Sequence, residues 1–142
     1  MITREELLGL AREVALRAHC PYSHFRVGTA VAAGGEIYTG VNIEISSSGL
    51  TLCAERSALA AAISAGAGPI TQIAVACIDV SPQASLNERT PCGACRQWIA
   101  DLAPGAVIYI DGDTRAFTIE DLLPYAFGLQ ANGPESPNSS NA

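Results

Sequence analysis

Apolar and polar positions change period several times along the chain, and each change marks an element. Leu7, Leu10, Ala11, Val14, Ala15 and Ala18 recur at helical spacing, which predicts a first helix to about Ala18 with one buried face. Thr3 opens it as a capping box with Glu6, and Ile2 and Leu7 flank the cap as a hydrophobic staple. Pro21 bars its extension. Residues 25–33 and 36–43 then read as two strands of a hairpin turned at Gly34-Gly35. Helical spacing returns over about 52–65, with Leu59, Ala62 and Ile63 on the apolar face, Thr51 as candidate N-cap and Gly66 as the stop. Residues 70–79 form a mostly apolar run with β-branched side chains, the pattern of a buried central strand.

A polar loop covers 81–89. A third helix starts near Cys92 and stops before Pro104, and a strand follows at 107–110. Asp111-Gly112-Asp113 is a turn, 115–117 a short last strand, and Thr118 opens a final short helix that ends at Pro124. Helices interspersed with strands predict an α/β fold, a mixed sheet covered by helices. Residues 1–129 are expected to form one domain. The polar 130–142 segment, rich in Pro, Asn and Ser, is expected to be disordered.

Composition narrows the function classes. A chain of 142 residues, 49% of them apolar, can bury a core without disulfides. A net charge of −6 leaves no basic stripe for phosphates, which argues against nucleic acid and against an acidic membrane surface as partners. No apolar run approaches the roughly 18–20 residues of a membrane span. Five cysteines, an odd number, do not look like a disulfide framework, and the polar, acidic start does not look like a secretory signal. A cytoplasmic location is therefore expected.

Two short stretches carry the chemistry: Thr51-Leu52-Cys53-Ala54-Glu55-Arg56 and Thr90-Pro91-Cys92-Gly93-Ala94-Cys95. Cys92 and Cys95 have the spacing that lets both sulfurs reach one metal, and Cys53 offers a third. Three thiolates make a zinc site with one open position, where water can react. Glu55, two residues from Cys53, is the natural proton carrier. Cys53 and Cys92 both fall at predicted helix N-termini, whose partial charges of ~0.5 each oppose the excess negative charge of three thiolates on one Zn²⁺. Arg56 is placed to donate to the sulfurs. The plainer alternative is a closed structural zinc site, which needs a fourth ligand. His19, His24, Cys20 and Cys77 are the candidates, and none has characteristic spacing to either motif. Cys77, in the predicted central strand, reads as an inert buried thiol. Cys20 reads similarly, and His24 as a loop or packing residue.

The C-x-E and P-C-x-x-C pair resembles the signature of zinc-dependent nucleobase deaminases. Taken with Pro21-Tyr22-Ser23-His24-Phe25-Arg26-Val27-Gly28, Gly40-Val41-Asn42-Ile43-Glu44, Pro91-Cys92-Gly93-Ala94-Cys95-Arg96-Gln97 and Leu122-Leu123-Pro124-Tyr125-Ala126-Phe127-Gly128, the chain resembles the cytidine deaminase family in its short, three-cysteine, homotetrameric form, over about residues 22–129. The resemblance implies a three-layer α-β-α sandwich with a mixed five-stranded sheet. It also implies hydrolytic deamination of cytidine and 2′-deoxycytidine in pyrimidine salvage. Cys53, Cys92 and Cys95 would hold one Zn²⁺, and Glu55 would carry protons from the activated water to N3 and to the leaving amine. Asn42 and Glu44 would meet the ribose hydroxyls, with Phe25 and Ala54 against the substrate. The Thr90 carbonyl would face the departing ammonia, and Phe127 of a neighbouring subunit would pack on the base. From the residues alone, Asn42 and Glu44 at i and i+2 on a strand share one face, so both can meet one sugar.

One position departs from the family. Ser48 stands where an aromatic, commonly Tyr, is usual, inside a run of small residues. That raises the expectation that C4-substituted cytidines fit as well. Blasticidin S deaminase also lacks the aromatic, but it usually differs at the position of Asn42. A catalytically silent zinc module and a nucleic-acid editing deaminase are the remaining readings. Glu55 speaks against the first, and the −6 charge against the second.

Overall fold

The computed structural model describes residues 1–130. In chain order these form α1 (Arg4–Ala15), β1 (Val27–Ala33), β2 (Glu36–Val41), α2 (Ala54–Ser64), β3 (Ile70–Cys77), α3 (Gly93–Leu102), β4 (Val107–Ile110), β5 (Ala116–Phe117) and α4 (Ile119–Leu122). The tail expected to be disordered lies, from residue 131, outside the described residues. The sheet order is β2-β1-β3-β4-β5. Its pairings are antiparallel except β3 with β4, which run parallel. A parallel pair needs a long crossover, and α3 supplies it.

The period-two alternation of the strands sorts the core into two faces. Ala30, Ala74 and Ala76 pack with Leu7, Leu8 and Ala11 of α1 on one side. Val31, Ile73 and Val75 pack with Leu59 and Ala62 of α2 and Ile99 of α3 on the other. The result is the three-layer α/β arrangement expected from the sequence. Two glycines let the helices lie directly on the strands. A Cβ at Gly28 would stand 2.0 Å from the Ala11 carbonyl oxygen, and one at Gly40 would stand 2.3 Å from the Ala58 nitrogen. The first seats α1 and the second seats α2.

Several boundaries differ from the sequence pattern. The capping box of α1 forms as expected, with Glu6 N donating to Thr3 Oγ1 and Thr3 N to Glu6 Oε2. The helix stops at Ala15 rather than Ala18, its end tightened by i→i+3 bonds from Leu16, Arg17 and Ala18. The chain then turns so that His19 can exchange backbone hydrogen bonds with Asn42 and Glu44. β1 begins at Val27 rather than Phe25. Thr51 does not cap α2. Leu52 is held in a two-way backbone bridge with Ile43, so the helix cannot begin before Ala54, and Cys53 becomes its N-cap. Among the described residues no helix is long and apolar enough to cross a membrane.

Candidate active site

α2 and α3 both begin near the end of β3, and each has a cysteine as its N-cap, Cys53 and Cys92. Cys95 follows in the first turn of α3. Cys53 Sγ lies 3.7 Å from Cys92 Sγ, and Cys92 Sγ lies 3.6 Å from Cys95 Sγ. All three sulfurs fall within 4.8 Å of one another. Zn–S bonds of about 2.3 Å at tetrahedral angles place sulfurs about 3.8 Å apart, so this donor set fits zinc in both chemistry and spacing. Among the described residues no fourth His, Cys, Asp or Glu joins the group. Cys95 is buried and Cys92 exposed, so the trio is closed on the core side and open on the other.

The surroundings favour thiolate. Arg56 Nη2 donates to Cys53 Sγ at 3.2 Å and to the Thr51 carbonyl at 3.3 Å. Two helix N-termini add partial positive charge. The Cys53 thiol is drawn down to about 5, chiefly by its hydrogen bond with Cys95, with Arg56 and Cys92 adding and burial opposing. The same bond pushes Cys95 up, so Cys53 ionises first, into the form that ligates a metal. Glu55 is buried, and burial pushes its carboxyl up to about 7, with the Cys53 charge adding and its own backbone amide and Arg56 opposing.

Cys53, Glu55 and Cys92 open into a cavity of about 440 Å³. Phe25, Asn42, Glu44, Ala54 and Thr90 line it as well, so one chamber gathers those expected residues beside the sulfurs. Asn42 is buried. Its Oδ1 accepts from Val27 N at 2.9 Å, and its Nδ2 donates to the Phe25 carbonyl at 2.7 Å. Glu44 Oε1 accepts from Tyr22 N and Ser23 N at 3.1 and 3.0 Å. Thr90 and Pro91 are pinned by Arg96, whose Nη2 donates to Thr90 Oγ1 at 3.1 Å and whose Nε donates to the Pro91 carbonyl at 2.8 Å.

The family model of the cytidine and deoxycytidylate deaminase zinc-binding region matches residues 1–111. The chain belongs to the cytidine deaminase family. It is 41% identical over 131 residues to a probable cytidine deaminase of Dictyostelium discoideum, covering 89% of this chain and 84% of that one. It is 41% identical over 124 residues to the cytidine deaminase of Mycobacterium tuberculosis, covering 87% and 88%. The crystal structure of cytidine deaminase from Burkholderia pseudomallei superposes with a TM-score of 0.77 at 38% identity, over 89% of this chain and 100% of that one. Zinc is thus the metal to which the three-sulfur group of this cytidine deaminase family member corresponds.

The remaining expected residues lie elsewhere. Phe127 is 70% exposed and outside its own chain's cavity, with its carbonyl accepting from Gln97 Nε2 at 2.7 Å. Ser48 is exposed in a short 3-10 turn and is not part of the cavity wall of its own chain. His19, Cys20 and His24 line a separate cleft. Sequence reasoning missed Cys77, Glu88 and Ser23 in the wall. Cys77 is a strand-end thiol whose proton burial holds tightly, pushed up to about 12, but it faces this deaminase cavity rather than the core alone. Glu88 sits in a 3-10 turn capped by Ser85 inside the polar loop, where no periodicity signals it. The C-x-x-C-R order was the available signal for Arg96.

Proposed function

We propose that the chain hydrolyses cytidine and 2′-deoxycytidine to the corresponding uridines with release of ammonia, as a cytoplasmic step of pyrimidine salvage. Residues 1–129 act as one catalytic domain, and neither nucleic acid nor membrane takes part. The observation that carries this reading is a buried carboxyl, Glu55, sharing one cavity with an open-sided trio of thiols. Zinc, when held by Cys53, Cys92 and Cys95, supplies an acidified water as nucleophile. Glu55 would carry one proton of that water to N3 of the ring as the C4–O bond forms, then take the second from the oxygen now on C4 and hand it to the amine as the C4–N bond breaks. The Thr90 carbonyl, on a turn fixed by Arg96, accepts from that amine.

Asn42 and Glu44 bind the sugar. The Asn42 amide is oriented by the backbone of Phe25 and Val27, and its second N–H remains for a ribose hydroxyl. Glu44 is held by Oε1, which leaves Oε2 for another. Phe25 and Ala54 wall the nucleoside. Phe127 packs on the base in a neighbouring subunit of a D₂ homotetramer. That assembly is supported by the exposure of Tyr125, Phe127 and Leu129 and by the open side of the sulfur group at Cys92.

An uncharged nucleoside is favoured over a nucleotide. Glu44, Glu55 and Glu88 contribute three carboxylates to the wall, and neither Lys nor Arg lines it. The guanidiniums nearby are turned elsewhere: Arg89 to the carbonyls of Ser81, Pro82 and Asp111, and Arg26 to Asp79. Among the described residues of this chain no guanidinium lines the cavity to meet a 5′-phosphate. C4-substituted cytidines remain within the proposal through the small side chains of Ser46, Ser47, Ser48 and Gly49, where the family usually carries an aromatic.

A panel of cytidine, deoxycytidine, free cytosine, CMP and N4-substituted cytidines, followed by ultraviolet absorbance with zinc-loaded protein, tests the reading. The two nucleosides are expected to be turned over fastest. Preference for CMP or free cytosine would overturn it.

A further inference from the structure

His24 stands at φ 58°, in the left-handed region that few residues other than glycine enter and that His, Asn and Asp tolerate best. Its neighbours on both sides, Ser23 and Phe25, face the cavity. Hydrogen bonds define what the turn holds. His24 N donates to the Cys20 carbonyl at 2.9 Å and closes it. Phe25 N donates to Ser23 Oγ at 3.0 Å. On one side of His24, Ser23 N donates to Glu44 Oε1 at 3.0 Å. On the other, the Phe25 carbonyl accepts from Asn42 Nδ2 at 2.7 Å. Each residue assigned to the sugar is therefore tied to one flank of the same reversal. The imidazole is exposed and makes no side-chain hydrogen bond among the described residues.

We propose that His24 is a positioning residue: its left-handed backbone, rather than its imidazole, holds the 20–25 turn in the shape that orients Glu44 and Asn42 toward the sugar. A residue that resists this conformation shifts the turn toward other forms. Only the competent fraction then binds, so apparent affinity falls by that fraction while turnover of bound substrate is kept. The assignment rests on the nucleoside reading of the cavity.

Zinc-loaded full-length protein carrying His24→Gly, His24→Asn, His24→Ala or His24→Val tests this, with kcat and KM for cytidine, Ki for uridine, zinc content and Tm measured for each. The β-branched Val is expected to raise KM and Ki together by about 10-fold, with kcat within about 2-fold and zinc content unchanged. Ala is expected to follow more mildly, at about 3-fold, and gives the same readout if the Val variant does not fold. Gly and Asn should stay near the starting protein. An unchanged KM in the folded Val and Ala variants overturns the assignment, as does impairment of Gly and Asn equal to that of Val. Starting protein that does not turn over cytidine removes the nucleoside reading together with this assignment. Active starting protein with indifferent variants removes the assignment alone.

Discussion

Arg56 and Cys53 touch across one helical turn: the guanidinium Nη2 lies 3.2 Å from the thiol sulfur at the start of α2. The arginine therefore holds the sulfur in place and stabilises its charge. Arg56→Ala is expected to weaken zinc retention by about 10–100-fold, read by chelator competition. Arg56→Lys should recover part of this, because it returns the charge but not the fork of donors. Unchanged retention in the Ala variant would remove this role.

Glu55 is the proton carrier in the proposed reaction. Glu55→Gln keeps the shape and cannot cycle a proton. The variant is expected to keep its fold and one zinc per chain while kcat falls ~10²–10⁴-fold. Metal analysis beside steady-state kinetics checks both halves, and near-normal turnover would exclude the assignment.

Gly28 is where α1 rests on β1. An added methyl would meet the Ala11 carbonyl oxygen at 2.0 Å and the Ala15 nitrogen at 2.7 Å, both backbone atoms that cannot swing away. Gly28→Ala is expected to destabilise the fold by about 1–3 kcal/mol, seen as a lower urea midpoint. A midpoint equal to the starting protein's would mean that α1 can lift off the sheet freely.

Much of this architecture was legible because local signals agreed with the tertiary fold. Thr3 and Glu6 gave the start of α1, and the apolar run at Ile70–Cys77 gave the central strand. The sulfur group was legible because both cysteine motifs coincide with helix starts. What escaped depends on contacts distant in sequence. Leu52 looks helical by pattern, but its pairing with Ile43 delays α2 and makes Cys53 the cap. Cys77 looks like core and lines the cavity because its strand ends there. Glu88 lies in a loop whose course is set by Arg89 bonds to the carbonyls of Ser81, Pro82 and Asp111. The positive φ of His24 has no strong signature in its residue type.

Phe127 tests the shared site. Phe127 is 70% exposed and does not line its own chain's cavity, so a role in catalysis needs a neighbour. Phe127→Ala is expected to raise KM on the order of 10-fold through lost stacking on the base. Light scattering is expected to give a four-chain assembly, and a fully active monomer would rule the arrangement out.

Turnover of cytidine by protein carrying one zinc per chain tests the central claim most directly. The expected result is conversion to uridine with one ammonia released per nucleoside. Folded, zinc-loaded protein that leaves cytidine intact would contradict the account.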